Sequence, residues 1–351
     1  IKLIAERKVN ALILVDKVSL VSQWKEKFST FLTINEPFPV NDIPGAMKRR
    51  KKKSIIGQMG AGKQALNGII DIAVIQSLNR VGEVKECVKD YGMVIVDECH
   101  HVSAFSFEMI LKNVNAKYVY GLTATPTRKD GHHPIIFMQC GPIRYRDDAK
   151  KQAEKRPFDH FIIPRFTSLN TPLDKDEKDI SIHELYAAII ENEMRNKLII
   201  DDVVQCHKNG RNCLVLTERT AHVESLASEL GKSISDVIIL MGGMGIKETR
   251  ETRGRISEIP EDRPLTLVAT GRYIGEGFDE PRLDTLFLAM PVSWKGTLQQ
   301  YAGRLHRLFE TKKEVLVYDY VDVRVRMLEK MYNKRLAGYS SIGYKAKGEN
   351  I

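Results

Sequence analysis

Short apolar runs alternate with longer amphipathic stretches along most of the chain, and this alternation constrains the fold more than any other feature. Runs that are hydrophobic on both faces are typical of parallel strands covered by helices on each side. The predicted strands are "ALILV" (11–15), "IIDIAVI" (69–75), "GMVIV" (92–96), "KYVYGL" (117–122), "NCLVLT" (212–217), "DVIIL" (236–240), "LTLVAT" (265–270), "DTLFLAM" (284–290) and "EVLVYDYV" (314–321). Helical patterns between them include 17–29, 182–207, 219–230 and 297–308. The sequence therefore predicts an α/β fold.

The predicted strands form two series, separated by a charged stretch with few candidate core residues, "RDDAKKQAEKRPFDH" (146–160). A chain of 351 residues is long enough for two domains of roughly 150 residues each. We place the boundary near residue 152 and predict two domains, 1–152 and 153–351. Each is expected to be a mostly parallel sheet covered by helices.

Charge and cysteine content narrow the class of partner and the compartment. The net charge of +9 favours a polyanionic partner such as nucleic acid, although many basic proteins bind none. The five cysteines are odd in number and form no CxxC pair, so a disulfide framework is not expected and a cytoplasmic location is. We find no apolar run long enough to span a bilayer.

The stretch "SIIGQMGAGKQALNGII" (54–70) has the glycine and lysine spacing of a phosphate-binding loop. Such a loop ends in Ser or Thr and leads into a helix, but here Gln64 takes the hydroxyl position. The turn pair Asn67-Gly68 then leads to a predicted strand. We therefore predict a glycine-rich turn rather than a phosphate cradle.

The stretch "MVIVDECHH" (93–101) is an apolar strand that ends in two carboxylates, Asp97 and Glu98. Acidic groups at the carboxyl end of a parallel strand point into the crevice where ligands bind. In nucleotide hydrolases, one such carboxylate holds Mg²⁺ and the next orients the attacking water. Two alternatives remain. One is a solvated turn, and the other is a zinc site built from Cys99, His100, His101, His132 and His133, whose spacing is not that of ligand pairs.

Three further motifs follow in order: "GLTATP" (121–126), "VATGRYIGEGFDEP" (268–281) and "QQYAGRLHR" (299–307). The last is predicted to be a helix, with Arg304 and Arg307 three residues apart on one face. Two guanidinium groups on one face suit a triphosphate, because each can make planar bidentate contacts. The alternative is an exposed basic helix.

Taken in this order, the motifs resemble those of superfamily 2 helicases and translocases of the DExH type, nearest to the XPB-like and restriction-enzyme-like branch. The resemblance extends to "ILVDKVSLVSQW" (13–24), "VIQSL" (74–78), "LVLTERTAHVESLASEL" (214–230) and "MGGMG" (241–245), and covers the chain to about residue 322. It implies two tandem RecA-like domains that form the motor core of an ATP-dependent helicase or translocase, with DNA favoured over RNA. The alternatives are an RNA helicase and a non-hydrolysing nucleic-acid clamp.

The resemblance also implies roles for individual residues. Asp97 would bind Mg²⁺ and Glu98 would activate the hydrolytic water of ATP cleavage. The other catalytic residues would be Gln300, Arg304 and Arg307, the cofactor-binding residues Gly277, Asp279 and His100, and the coupling residues Thr123 and Thr125. The nucleic-acid contacts would be Ser19, Gln23, Gln76, Ser77, Thr217, Arg219, Gly242 and Gly243.

One part of the family pattern is missing from this sequence. In the family the phosphate loop comes just before the motif that begins here near residue 13, and "IKLIAERK" (1–8) is predicted to be the end of the intervening helix. We therefore expect the loop to precede Ile1 in a larger polypeptide, and expect the chain as given to bind and hydrolyse ATP poorly. The basic run Lys48–Lys53 is either a solvated loop or an arm for duplex phosphates.

Overall fold

The computed structural model describes residues 1–33, 56–80, 83–101, 105–124, 133–170, 180–275, 278–293 and 295–347. The basic run Lys48–Lys53 lies outside these residues. Internal contacts divide the chain into two units, Ile1–Arg146 and Asp147–Ile351. In the described parts of both units, no helix combines the length and apolar character needed to cross a bilayer.

The first unit is built on a six-stranded sheet in the order β3-β2-β4-β1-β7-β8, in which only β3 runs antiparallel to its neighbour. Its strands are β1 (Ala11–Val15), β2 (Ile56–Gly60), β3 (Lys63–Ala65), β4 (Ile70–Val74), β5 (Asn79–Arg80), β6 (Glu83–Val84), β7 (Met93–Val96) and β8 (Tyr118–Gly121), with β5 and β6 forming a separate ribbon. Its helices are α1 (Lys2–Arg7), α2 (Val18–Phe31), α3 (Phe105–Lys112) and α4 (His133–Cys140).

The central strands of this sheet are buried on both faces, as their continuous apolar runs predict. Leu12 and Leu14 pack in one core cluster, and Ile13 and Val15 pack in another. The register pairs Val15 with Val74 and Leu14 with Val96, so that the strands end together. The residues that follow β1, β4, β7 and β8 therefore gather at one edge of the sheet.

The stretch with phosphate-loop spacing forms a β-hairpin of β2 and β3 at the lateral end of the strand order, with β2 beside β4. Gly60 pairs with Lys63, and the two-residue turn between them has positive φ angles at Ala61 (54°) and Gly62 (75°). Two positive φ values are the signature of a type I′ hairpin turn. The chain returns as a strand rather than entering a helix, so the predicted glycine-rich turn is confirmed.

The second unit is built on a seven-stranded parallel sheet in the order β11-β12-β10-β13-β14-β9-β15. Its strands are β9 (Asp159–Phe166), β10 (Cys213–Thr217), β11 (Val237–Leu240), β12 (Thr266–Thr270), β13 (Thr285–Leu288), β14 (Glu314–Val321) and β15 (Lys345–Ala346). Its helices are α5 (Ala149–Glu154), α6 (Ile182–Glu191), α7 (Glu193–Lys208), α8 (Thr220–Leu230), α9 (Ile246–Glu258), α10 (Gly271–Gly275), α11 (Lys295–Gly303) and α12 (Arg326–Ser341).

Two features of this unit differ from the sequence prediction. Strand β9 was not predicted, because it begins inside the charged stretch and contains Pro164. Pro164 is tolerated because β15 pairs only with Phe161 and Ile162, which leaves the rest of β9 without a partner on that side. The predicted helix 182–207 is two helices, since Asn192 ends the first and its side chain caps the second at the amide of Arg195.

Candidate functional site

Asp97 stands at the carboxyl edge of the first sheet and is held by hydrogen bonds on both carboxylate oxygens. Trp24 on α2 donates its indole N–H to Oδ2 at 2.7 Å, and the backbone amide of Glu98 donates to Oδ1 at 3.0 Å. The Trp24 ring packs against Phe28, with 5.4 Å between ring centroids. Burial raises the pKa of the Asp97 carboxyl above its ordinary value, and the Trp24 hydrogen bond opposes this rise. A cation next to Asp97 would favour its charged form.

The donor set at this edge suits Mg²⁺ carried by a nucleotide. Mg²⁺ is usually bound by one or two carboxylates together with phosphates and waters, rather than by an all-protein cage. Asp97 supplies one such carboxylate. Over the described ranges, no group of three or more His, Cys, Asp or Glu side chains is gathered to hold a metal ion. The zinc alternative is not tested, because the side chains of His101, His132 and His133 lie outside what the structure describes.

Glu98 has a backbone conformation that side-chain-bearing residues rarely adopt. Its φ is 48°, in the left-handed region, which costs about 1–3 kcal/mol when held by the surrounding structure. Such strain in a non-glycine residue commonly marks a functional site. The carboxylate oxygen Oε2 of Glu98 lies 3.2 Å from Nδ1 of His100.

His100 connects Glu98 to the end of the next strand. The same Nδ1 atom lies 3.0 Å from Oγ1 of Thr123, which follows β8. With a proton on Nδ1, the ring can donate to Glu98, and without one it can accept from the Thr123 hydroxyl. A protonated Nδ1 can also donate to the Thr123 hydroxyl oxygen, so only the hydrogen bond to Glu98 requires the proton on Nδ1. The predicted coupling residue Thr125 lies outside the described residues.

The predicted nucleic-acid contacts of the first unit lie near the same edge. Ser19 and Gln23 are four residues apart on α2 and thus share a helix face. Gln76 is exposed in the short helical turn after β4, and its side-chain amide donates to the carbonyl of Asp16 at 3.2 Å. Ser77 is in the same turn. The loops after β1 and β4 are therefore adjacent.

In the second unit, the residues predicted to contact nucleic acid differ in exposure: one is buried and three are exposed. The Thr217 side chain is buried, and its hydroxyl lies 2.9 Å from Nδ1 of His222, so it is engaged inside the domain. Arg219 is exposed, and its guanidinium lies 2.9 Å from Nδ1 of His183. Gly242 and Gly243 are exposed after β11, and Gly243 has a φ of 90°.

The two arginines of the last motif are held differently from the prediction. Helix α11 ends at Gly303, Arg304 begins a short 3₁₀ turn, and Arg307 has an extended backbone, so the expectation of one helical face is wrong. Lys312 takes the carbonyls of Leu305 and Arg307, which a continuing helix would need for its own hydrogen bonds.

Both arginines instead contact the segment before β13. Arg304 donates to the carbonyls of Phe278 at 2.8 Å and of Gly275 at 3.0 Å. Arg307 donates from Nε to Asp279 at 2.7 Å. Gln300 is half-buried on α11, and the predicted residue Gly277 lies outside the described residues.

Sequence reasoning missed two residues of these arrangements. Trp24 directly follows the predicted contact Gln23, but its hydrogen bond joins it to a residue 73 positions away. Lys312 lies in a charged run, "ETKKE" (310–314), that is typical of a solvated turn. Neither pairing leaves a signal in the local pattern.

Comparison with known proteins finds similarity to a restriction-enzyme family, a translocase and a helicase. The family described as "Type III restriction enzyme, res subunit" matches residues 1–128. DNA 3'-5' translocase XPB2 of Sulfurisphaera tokodaii is 24% identical, over 92% of this chain and 74% of that protein. Protein L396 of Acanthamoeba polyphaga mimivirus, named as an ATP-dependent RNA helicase, is 26% identical over 87% of this chain. This chain spans only 58% of the length of L396.

A solved structure shares the fold. It is a fragment named as an HsdR subunit of a type I restriction enzyme from Vibrio vulnificus YJ016, with a TM-score of 0.62 and 18% identity. The match covers 96% of this chain and 57% of that one.

Proposed function

We propose that this chain, a member of the superfamily 2 helicases with their RecA-like α/β fold, is the motor core of an ATP-dependent DNA helicase or translocase. ATP hydrolysis would drive its movement along a strand. The observation that carries the proposal is the group at the carboxyl edge of the first sheet. There Asp97 is oriented by Trp24, and Glu98 is strained beside His100.

Each residue of this group has a definite task in the proposal. Asp97 would hold Mg²⁺, with Trp24 fixing the direction of its carboxylate as outer-sphere partners commonly do. The ion supplies positive charge that neutralises the phosphate oxygens of ATP. Glu98 would orient the attacking water and accept its proton. The Nδ1 atom of His100 lies near both Glu98 and Thr123, so His100 would couple a change at Glu98 to Thr123.

The second unit would contribute the arginines. Arg304 and Arg307 would stabilise the negative charge that develops on the transferred phosphoryl group. Arg304 is anchored by the carbonyls of Phe278 and Gly275, which fix the direction of its guanidinium group. Arg307 pairs with Asp279 and would exchange that carboxylate for the phosphates of the nucleotide.

DNA is the proposed track. The supporting features are the name of the translocase relative, the restriction-enzyme family that matches the first unit, and the net charge of +9. Ser19, Gln23, Gln76 and Ser77 would contact phosphates from the first unit. Arg219 and the backbone at Gly242 and Gly243 would do so from the second, with Thr217 reached only through its main chain.

The test is substitution of Glu98 in the full-length protein. Glu98→Gln keeps the shape of the side chain but removes the base, and we expect ATP hydrolysis stimulated by nucleic acid to fall by about 10²-fold or more. Glu108→Gln is the matched control, because Glu108 lies on α3 and pairs with the exposed Lys112. Unchanged hydrolysis in Glu98→Gln would contradict a motor and favour a non-hydrolysing clamp.

The choice between DNA and RNA has its own assay. Strand displacement or translocation is measured on DNA and RNA tracks of the same sequence, with the full-length protein and the Glu98→Gln variant as background. We expect ATP-dependent movement on DNA. Movement on RNA alone would make the protein an RNA helicase, as the name of the L396 relative suggests for that protein.

A further inference from the structure

Lys312 is a buried lysine whose ammonium group is fully occupied by backbone carbonyls. It stands two residues before β14, and only 6% of its surface is exposed. Nζ donates to the carbonyls of Leu305 and Arg307, both at 2.8 Å, and of Pro281 at 2.9 Å. An ammonium has three protons to donate, so this geometry uses all of them.

The surroundings of Lys312 explain why a charged group is held there. Burial lowers the pKa of Lys312 to about 8, Asp284 and Glu280 raise it, and Arg156 lowers it. Nζ also lies 5.4 Å from the centre of the Phe158 ring, a cation–π contact. An apolar substitution would leave buried carbonyls without a donor, which is the costly way to break hydrogen bonds.

The three carbonyls belong to the two segments that carry the candidate arginine site. Leu305 and Arg307 are in the turn after α11, whereas Pro281 follows the segment whose carbonyls and Asp279 receive Arg304 and Arg307. Lys312 joins these segments through their backbones, on the buried side of the contacts that the guanidinium groups make.

We propose that Lys312 is a positioning residue that fixes the turn bearing Arg304 and Arg307 against the 278–281 segment. The inference rests on the proposed function, in which these arginines act on ATP. Nothing in the reaction requires Lys312 to touch the nucleotide. Its effect would pass through the placement of the two guanidinium groups.

The kinetic test compares two neighbouring lysines. Lys312→Met removes the buried ammonium, and Lys313→Met removes an exposed one from the next position. In the full-length protein with DNA present, we expect Lys312→Met to lower kcat roughly 10-fold, because small displacements of positioned groups cost up to about 10²-fold. KM for ATP should change less than about 2-fold, since the lost interaction acts in the transition state. Lys313→Met should be unchanged, and an equal kcat for both variants would overturn the proposal.

A double substitution separates positioning from general stability. If Lys312 acts through Arg304, then Lys312→Met should have little further effect on kcat in an Arg304→Ala background, because the two changes disable one unit. A further 10-fold loss in that background would overturn the proposal.

Hydrogen exchange tests the clamp without any ATPase reaction. Amides in 305–309 and 280–283 should exchange faster in Lys312→Met than in Lys313→Met or the unsubstituted protein. Unchanged exchange would refute the clamp, whereas fast exchange in a protein without any ATPase activity would refute only the proposed function. If Lys312→Met does not fold, Lys312→Gln, which keeps one donor group, takes its place in all three measurements.

Discussion

The two units hold the charged residues of the candidate site in different ways. On the first sheet the charged groups are acids, and side chains from other segments orient them: Trp24 holds Asp97, and His100 lies beside Glu98. In the second unit the charged groups are arginines: main-chain carbonyls hold Arg304, and the carboxylate of Asp279 holds Arg307. The indole of Trp24 orients Asp97 without bringing an opposite charge, whereas Arg307 is already paired with one.

The largest expected effect comes from removing one of the two arginines, Arg304. Arg304→Ala in the full-length protein should lower kcat for ATP hydrolysis by about 10³-fold, because an arginine that stabilises phosphoryl transfer is worth at least that much. KM for ATP should change far less. The control is Arg324→Ala, an exposed arginine on the same unit. A loss below about 10-fold would mean that Arg304 is a structural tie between two segments and takes no part in the reaction.

A second contrast between the units is their response to acid. Burial lowers the pKa of His160 and His222 to about 4 and of His306 to about 2, from 6.5, and all three are in the second unit. Between pH 6.5 and 4 the unfolded chain binds protons that the folded unit does not, so stability falls as the pH falls. At pH 5, His222 alone should cost about 2 kcal/mol relative to neutral pH. Burial of Asp97 in the first unit, and of Asp202 and Asp284 in the second, raises their pKa values and has the opposite sign, since the folded state then takes up a proton more readily.

Hydrogen exchange at pH 7 and pH 5 can resolve this contrast by unit. We expect peptides from 213–217 and 314–321 to lose protection on acidification more than peptides from 11–15 and 93–96. His222→Gln should flatten the pH dependence of the second unit, whereas His183→Gln, at an exposed position, should not. Equal loss of protection in both units would contradict the account of the buried histidines.

The smallest expected effect concerns Asp97 at the carboxyl edge of the first sheet. Trp24→Phe keeps a ring against Phe28 but removes the N–H that holds Asp97. The Mg²⁺ concentration for half-maximal ATP hydrolysis should rise about 10-fold, because loss of an outer-sphere partner weakens metal binding by that order. The effect should disappear in an Asp97→Asn background. An unchanged Mg²⁺ requirement would show that Trp24 is only a packing residue.

Most of the strands could be read from the sequence because they are buried on both faces, although β8 is only partly buried. All nine predicted apolar runs contain strands of the structure, for example Cys213–Thr217 within 212–217. Strand β9 escaped prediction because it begins inside the charged stretch, includes Asp159 and Arg165, and contains Pro164. The hairpin at Ile56–Ala65 escaped as well, since a glycine-rich stretch predicts a turn but not the short strands around it.

The candidate site could be predicted only as positions along the chain. The residue types and the strand ends indicated Asp97, Glu98 and the arginines, because parallel strands deliver their ends to one edge. The partners of these residues could not be predicted, since Trp24 reaches Asp97 from a helix 73 residues away and Lys312 reaches Leu305 through a turn. The helical face expected for Arg304 and Arg307 failed for the same reason: a buried ammonium competes for the carbonyls that a helix needs.

We propose that the acidic residues of the first unit and the arginines of the second unit serve one hydrolysis reaction. DNA-stimulated ATP hydrolysis is measured for the full-length protein with Glu98→Gln, with Arg304→Ala and with both substitutions together. We expect each single variant to lose nearly all stimulated hydrolysis and the double variant to be scarcely slower, because residues that act as a unit are not additive. Single losses that multiply in the double variant, or a Glu98→Gln protein that hydrolyses ATP normally, would contradict the proposal.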